Sequence, residues 1–230
     1  MDGEALPLLG DVSASDHGAM SGVFVGGGWI LTVEAHGTAL GLAASGLSTG
    51  SSERVASVVD RGLLSGCTLG DAAYLTVVAG GSATAAVVSN GGTLVVASGG
   101  TLGDATIVGG GIVSLSAGAV DTATMNFVGS DGTVALGGTG TLGATLAGFA
   151  VGDKLDLTAL PYAAGGTATL SGLLLAVTEG GATEKIAFAP GTDFSATSVS
   201  LASGRHGGTV LTLVSSGGSV QLLPGHLGSG

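Results

Sequence analysis

Between residues 80 and 138, glycine pairs or their Gly-Ala and Gly-Ser equivalents recur at alternating intervals of eleven and eight residues. They are Gly80-Gly81, Gly91-Gly92, Gly99-Gly100, Gly110-Gly111, Gly118-Ala119, Gly129-Ser130 and Gly137-Gly138, which makes a unit of 19 residues. A fixed period of this size marks a solenoid, in which no unit buries its apolar face alone and each stacks on its neighbours. The glycines sit where corners need positive φ.

The residues between the corners read as strand. Tyr74 to Val78 lies over Thr93 to Ala97, then over Ile112 to Ser116, then, on the 19-residue grid, over Asp131 to Ala135. In the longer interval Ser82–Ser89, Thr101–Val108 and Val120–Phe127 align in the same way. Each segment is short, rich in β-branched residues and bounded by glycine. Leu94 and Val96, like Val113 and Leu115, alternate so as to share one face of a pleated strand. A helix would carry glycine pairs in its turns, each glycine costing about 1 kcal/mol relative to alanine. The predicted fold is therefore all-β, a single-stranded β-solenoid (β-helix) with Gly-rich turns. At one rung per repeat the chain predicts about ten to twelve rungs, roughly 50 Å at about 4.8 Å each.

Composition agrees. The 47 glycines among 230 residues could signal disorder, but mean hydropathy is +0.65 and only 9% of residues are charged, the reverse of a disordered profile. Aromatic residues make up 3%, too few to fill a wide core but enough for a narrow coil. Sixteen acidic residues against five basic ones leave a net charge of -11, which argues against a phosphate-binding surface and hence against nucleic acid. Cys67 is the only cysteine, so neither an intramolecular disulfide nor a cysteine zinc site is available, and it reads as a small buried filler. No stretch approaches the ~20 continuous apolar residues of a membrane helix. The first ten residues carry no basic segment and no apolar run, so the expectation is a fragment or a chain exported without a cleaved N-terminal signal.

Four regions are expected. Residues 1–66 form an irregular N-terminal repeat region whose spacing slips between Ser45 and Arg54. Residues 67–148 form the regular array. Residues 149–214 form an atypical C-terminal capping segment, because the last rung of a solenoid must close its open strand edges. In it Leu173–Thr178, Glu179-Gly180-Gly181 and Glu184–Phe188 read as strand, turn, strand. Residues 215–230 form a flexible tail. The string Thr68-Leu69-Gly70-Asp71-Ala72 recurs as Thr101-Leu102-Gly103-Asp104-Ala105, off the 19-residue grid.

The block from Val88 to Thr101, VSNGGTLVVASGGT, resembles the glycine-rich repeats of AIDA-type autotransporter adhesin passengers. Residues 138–214 resemble the segment that precedes hedgehog/intein-type domains in secreted alphaproteobacterial proteins, and Gly152 to Leu157 resembles the closing rungs of secreted calcium-binding repeat proteins. The chain departs from these patterns: it has no C-terminal amphipathic aromatic barrel strand, no cysteine after Val214, and no Gly-Gly-x-Gly-x-Asp nonapeptide. The resemblance implies an extracellular or surface-displayed protein related to adhesins, with host or surface glycans and proteins as partners. It implies a surface glycosyltransferase as a further partner, acting on exposed serines.

No catalytic, cofactor-binding or metal-binding residue is assigned. Asp153 and Asp156 flank Lys154, but calcium asks for six to eight oxygens, so a capping turn with Lys154 in solvent is the reading. Asp104, Asp121 and Asp131 fall at different repeat positions and form no carboxylate ladder. His17, His36, His206 and His226 lack metal spacing and read as loop residues, with Arg205-His206 in a turn. Trp29, Tyr74 and Tyr162 are far apart in sequence, against the aromatic platforms of a polysaccharide-cleaving β-helix. A threonine rank for ice contact breaks where Thr93 meets Ile112 and Asp131. The expected function is a non-enzymatic, adhesin-like or structural solenoid acting by multivalent polar contacts, self-associating end to end into filaments in one version. The alternative is a polysaccharide-binding or lyase-like β-helix.

Overall fold

The computed structural model describes residues 13–49, 52–138 and 141–216. The described residues are all-β and wind into a β-solenoid of about 7 turns with three faces. The first face stacks Ser13–Asp16, Ile30–Val33, Ala56–Asp60, Ala73–Val77, Thr93–Val96, Ile112–Leu115, Thr133–Leu136 and Lys154–Pro161, every neighbour parallel. The second stacks the short strands Ala19–Ser21, Thr38–Leu40, Leu63–Ser65, Ser82–Thr84, Thr101–Leu102 and Val120–Asp121. The third runs from Phe24–Gly26 through Ala43–Ser45, Thr68–Leu69, Ala86–Val88, Ala105–Val108 and Thr124–Val128 to Thr141–Ala147. Thr68-Leu69 and Thr101-Leu102 lie on different faces, which explains why that repeated string ignores the period.

The two glycines of a pair do different work. At the corner after Val96, Gly99 has φ +77°, a conformation that L side chains rarely adopt. Its partner Gly100 has ordinary φ, but a Cβ there would lie 2.6 Å from the carbonyl oxygen of Val77 in the adjacent rung. The first glycine turns the chain and the second lets successive turns close up. Inside the coil, identical ladder positions form columns, such as Leu31, Val58, Leu75, Leu94, Val113, Val134 and Leu155, all buried. Burying each side chain of this size contributes about 1.5–3 kcal/mol, and backbone hydrogen bonds run to the rungs on either side.

The regular period is narrower than predicted. Tyr74, Thr93 and Ile112 pair at 19-residue steps, but Ile112 pairs with Thr133 rather than Asp131, a step of 21. On the third face Phe127 pairs with Ile107, one residue off the expected register. The N-terminal slip has a local cause: an antiparallel hairpin, Leu47–Thr49 with Ser52–Arg54, is inserted at a corner, after which the ladder resumes. The count of ten to twelve rungs is corrected to about 7, roughly 34 Å of stack. Longer turns account for part of the difference, and the chain after Pro161 leaves the coil for the rest.

That last part is the cap. Thr167–Ser171, Leu174–Glu179 and Ala182–Phe188 form an antiparallel meander whose last strand lies parallel to Thr141–Ala147 and extends the third face. Thr197–Ser203 and Gly208–Ser215 form a hairpin that extends the first face, antiparallel to Lys154–Pro161. The expected strand-turn-strand is the hairpin Leu174–Glu179 with Ala182–Phe188. Phe127, Phe149, Phe188 and Phe194 form a chain of ring contacts, with centroids 5.3, 5.8 and 4.9 Å apart, where the narrow coil widens into the cap.

Candidate functional site

A parallel strand that buries alternate side chains presents the others outward at a fixed spacing. On the first face one outward rank runs Ile30, Ser57, Tyr74, Thr93, Ile112, Thr133, and beside it runs Thr32, Val59, Thr76, Val95, Ser114, Ala135. No charged residue stands in either rank until Lys154 and Asp156 follow on. The second and third faces carry Ser, Thr, Ala, Val, Leu and Asn outward in the same way. Charge is held at the corners: Glu34 and Arg61 form an ion pair at 3.6 Å across neighbouring corners, and Asp71, Asp104 and Asp131 all lie outside strands. The outer surface of the coil is thus a set of neutral hydroxyl and aliphatic stripes bordered by acidic corners.

The residues singled out in sequence are dispersed. Asp153 is buried and its two oxygens accept the amide N–H groups of Gly132 and Ala150, both at 3.0 Å, so it staples one turn to the next. Lys154 opens a strand rather than lying in a turn, and Asp156 points outward, so the two carboxylates do not converge. Asp104 is exposed and accepts the amide of Thr124 at 3.0 Å, a second staple between turns. Asp131 sits at a corner with φ +68°. His17, His36 and His206 are exposed, His36 and His206 in turns; His226 lies outside the described residues. Cys67 is fully buried, and burial pushes its thiol up to about 12. Trp29 is 5% exposed and offers no sugar platform, whereas Tyr74 stands on the first face and Tyr162 in the cap. The expected threonine rank is Thr93, Ile112, Thr133, still interrupted by isoleucine.

Three buried acids went unrecognised in sequence. Asp60 faces inward between Val33 and Val77 in an aliphatic column. One of its oxygens accepts the amide of Gly62 at 3.0 Å, the other has no partner, and burial pushes its carboxyl up to about 6. Asp121 ends the inward column Ala39, Leu64, Ala83, Leu102 of the second face. Neither of its oxygens has a hydrogen-bond partner; burial raises it to about 7, offset only in part by the nearby Ala123 amide. Glu179, in the cap, accepts the Ala163 amide with one oxygen and leaves the other unpartnered. The signal for Asp121 was present: it stands 19 residues after Leu102 in a column otherwise apolar.

These features define a three-sided β-solenoid with neutral faces and a mixed antiparallel cap. No family model matches the chain, and no curated protein matches it. Among solved structures it is similar to the TibC-catalyzed hyper-glycosylated TibA55-350 fragment, at 20% identity and a TM-score of 0.43. The match covers 63% of this chain and 56% of that one. At this level the likeness does not extend to function.

Proposed function

We propose that this chain is a secreted or surface-displayed, adhesin-like scaffold that binds by repetition rather than through a single catalytic centre. The observation that carries the reading is the set of charge-free outward ranks, repeated at about 4.8 Å per rung. Each neutral hydroxyl or aliphatic stripe makes a weak contact with a glycan or protein surface, and many in register convert weak contacts into avidity. The resemblance of residues 88–101 to AIDA-type passenger repeats supports an extracellular setting and a glycosyltransferase as partner. Nucleic acid is disfavoured by the charge of -11. The filament version is disfavoured at the C-terminal end, because strand direction reverses there and a second copy meets no parallel ladder to continue.

The test displays the protein on beads at varied density and measures adherence to bacterial and epithelial cells and to a glycan panel. Adherence that rises steeply with density and falls at least tenfold in a Thr93→Asp/Ile112→Asp double variant supports the proposal. Adherence that is absent, or unchanged in the variant, overturns it. The alternative, a polysaccharide lyase or binding module, requires reducing ends released from acidic or neutral polymers, or saturable binding at one-to-one stoichiometry.

A further inference from the structure

The second face has no strand in the turn after Val120–Asp121, because the chain passes from Thr133–Leu136 to Thr141–Ala147 without one. The space that the next inward side chain of that column would fill is a cavity of about 350 Å³. Two acids line it. Asp121 enters from the end of the coil, 8% exposed and with both oxygens unpartnered. Glu184 enters from the cap strand Ala182–Phe188, 3% exposed. The rest of the wall includes Leu115, Leu136 and Leu142, and none of the described lining residues is Lys, Arg or His.

We propose that this cavity binds a small aliphatic ammonium ion, with Asp121 as the principal counter-charge and the leucines enclosing the alkyl chain. The lining selects among ligand classes. An anion finds no positive group. A neutral apolar molecule leaves the buried carboxylate unpaired, which is costly. A bare divalent cation asks for six to eight oxygens, and among the described residues no cluster of three or more His, Cys, Asp or Glu is poised to hold a metal. An alkylammonium ion pairs its charge with Asp121 and buries its methylenes on apolar walls. Size agrees, since small-molecule pockets start near 300 Å³. Placement agrees too, because the site lies where coil meets cap and occupancy would tie the two together.

The test is thermal unfolding of the whole chain at about pH 8, above the value near 7 to which burial pushes Asp121, in about 0.15 M salt to screen surface charge. The probes are 1,4-diaminobutane, n-butanol and calcium chloride, each at millimolar concentration. Asp121→Asn and Asp121→Leu serve as variants; the leucine continues the column of Leu102 and both remove a buried charge, so both are expected to fold. The proposal expects 1,4-diaminobutane to raise the melting temperature of the wild type by about 3 °C or more, with no such rise in either variant and none from n-butanol. No rise in the wild type, or an equal rise in the variants, overturns it. A rise with n-butanol assigns an apolar pocket instead, and a calcium response abolished by Asp121→Asn assigns a metal site; either result overturns the ammonium assignment.

Discussion

Asp60 and Asp121 occupy inward positions that valine, leucine or alanine fill in neighbouring turns, and each is short of hydrogen-bond partners. Their carboxyls are raised in the folded chain, from 3.8 to about 6 and about 7, so folding favours the protonated forms. The sign follows: their contribution is fully present below about pH 4 and is lost as pH rises through 6 and then 7. For Asp60 the displacement corresponds to roughly 3 kcal/mol. Thermal melts between pH 4 and 8 are expected to show stability falling across this window, and Asp121→Asn to flatten the upper part of the fall. A second expectation concerns the close approach of turns. Gly100→Ala pushes a methyl against the Val77 carbonyl and is expected to cost about 1–3 kcal/mol by chemical denaturation.

At the scale of the repeat, each strand stabilises only its neighbours, so a whole unit is dispensable where the register is uniform. Removing Thr93 to Gly111 brings Tyr74 beneath Ile112 and Ala86 against the chain after Val120, with the corner at Gly91-Gly92 leading straight into Ile112. The shortened chain is expected to keep a β-type circular dichroism spectrum and to lose denaturant m-value in proportion to buried surface. This modularity is also what made the fold readable. The first glycine of each pair between Gly80 and Gly129 has positive φ, and the inward columns follow from alternation alone. Three faces per turn were not readable, because the second-face strands are two or three residues long, too short for alternation to register. The slip at Asp131 was hidden because two extra residues fit at a corner without altering the strand pattern. The acids in the core escaped notice because Asp at a glycine-rich corner and Asp in a column look alike until the register is fixed.

At the scale of the molecule, the cap covers a ladder end that is otherwise open on the first and third faces. A chain ending at Gly148 exposes the edges of Thr133–Leu136 and Thr141–Ala147 and strips Phe127 of its contact with Phe149. Sedimentation velocity is expected to show this truncation aggregating while the full chain stays dispersed; a dispersed truncation would mean the cap is not what keeps the edges apart. The function remains less legible than the fold for a physical reason: neutral stripes of Ser, Thr, Val and Ile are required by the architecture before any ligand selects among them.

The hairpin between Leu47 and Arg54 shows what such a scaffold permits. Its rung is lengthened by an excursion at one corner, yet Ile30 and Ser57 still meet as though nothing intervened. New recognition loops can therefore be grafted at that vertex one at a time, and the spindle beneath them need not change.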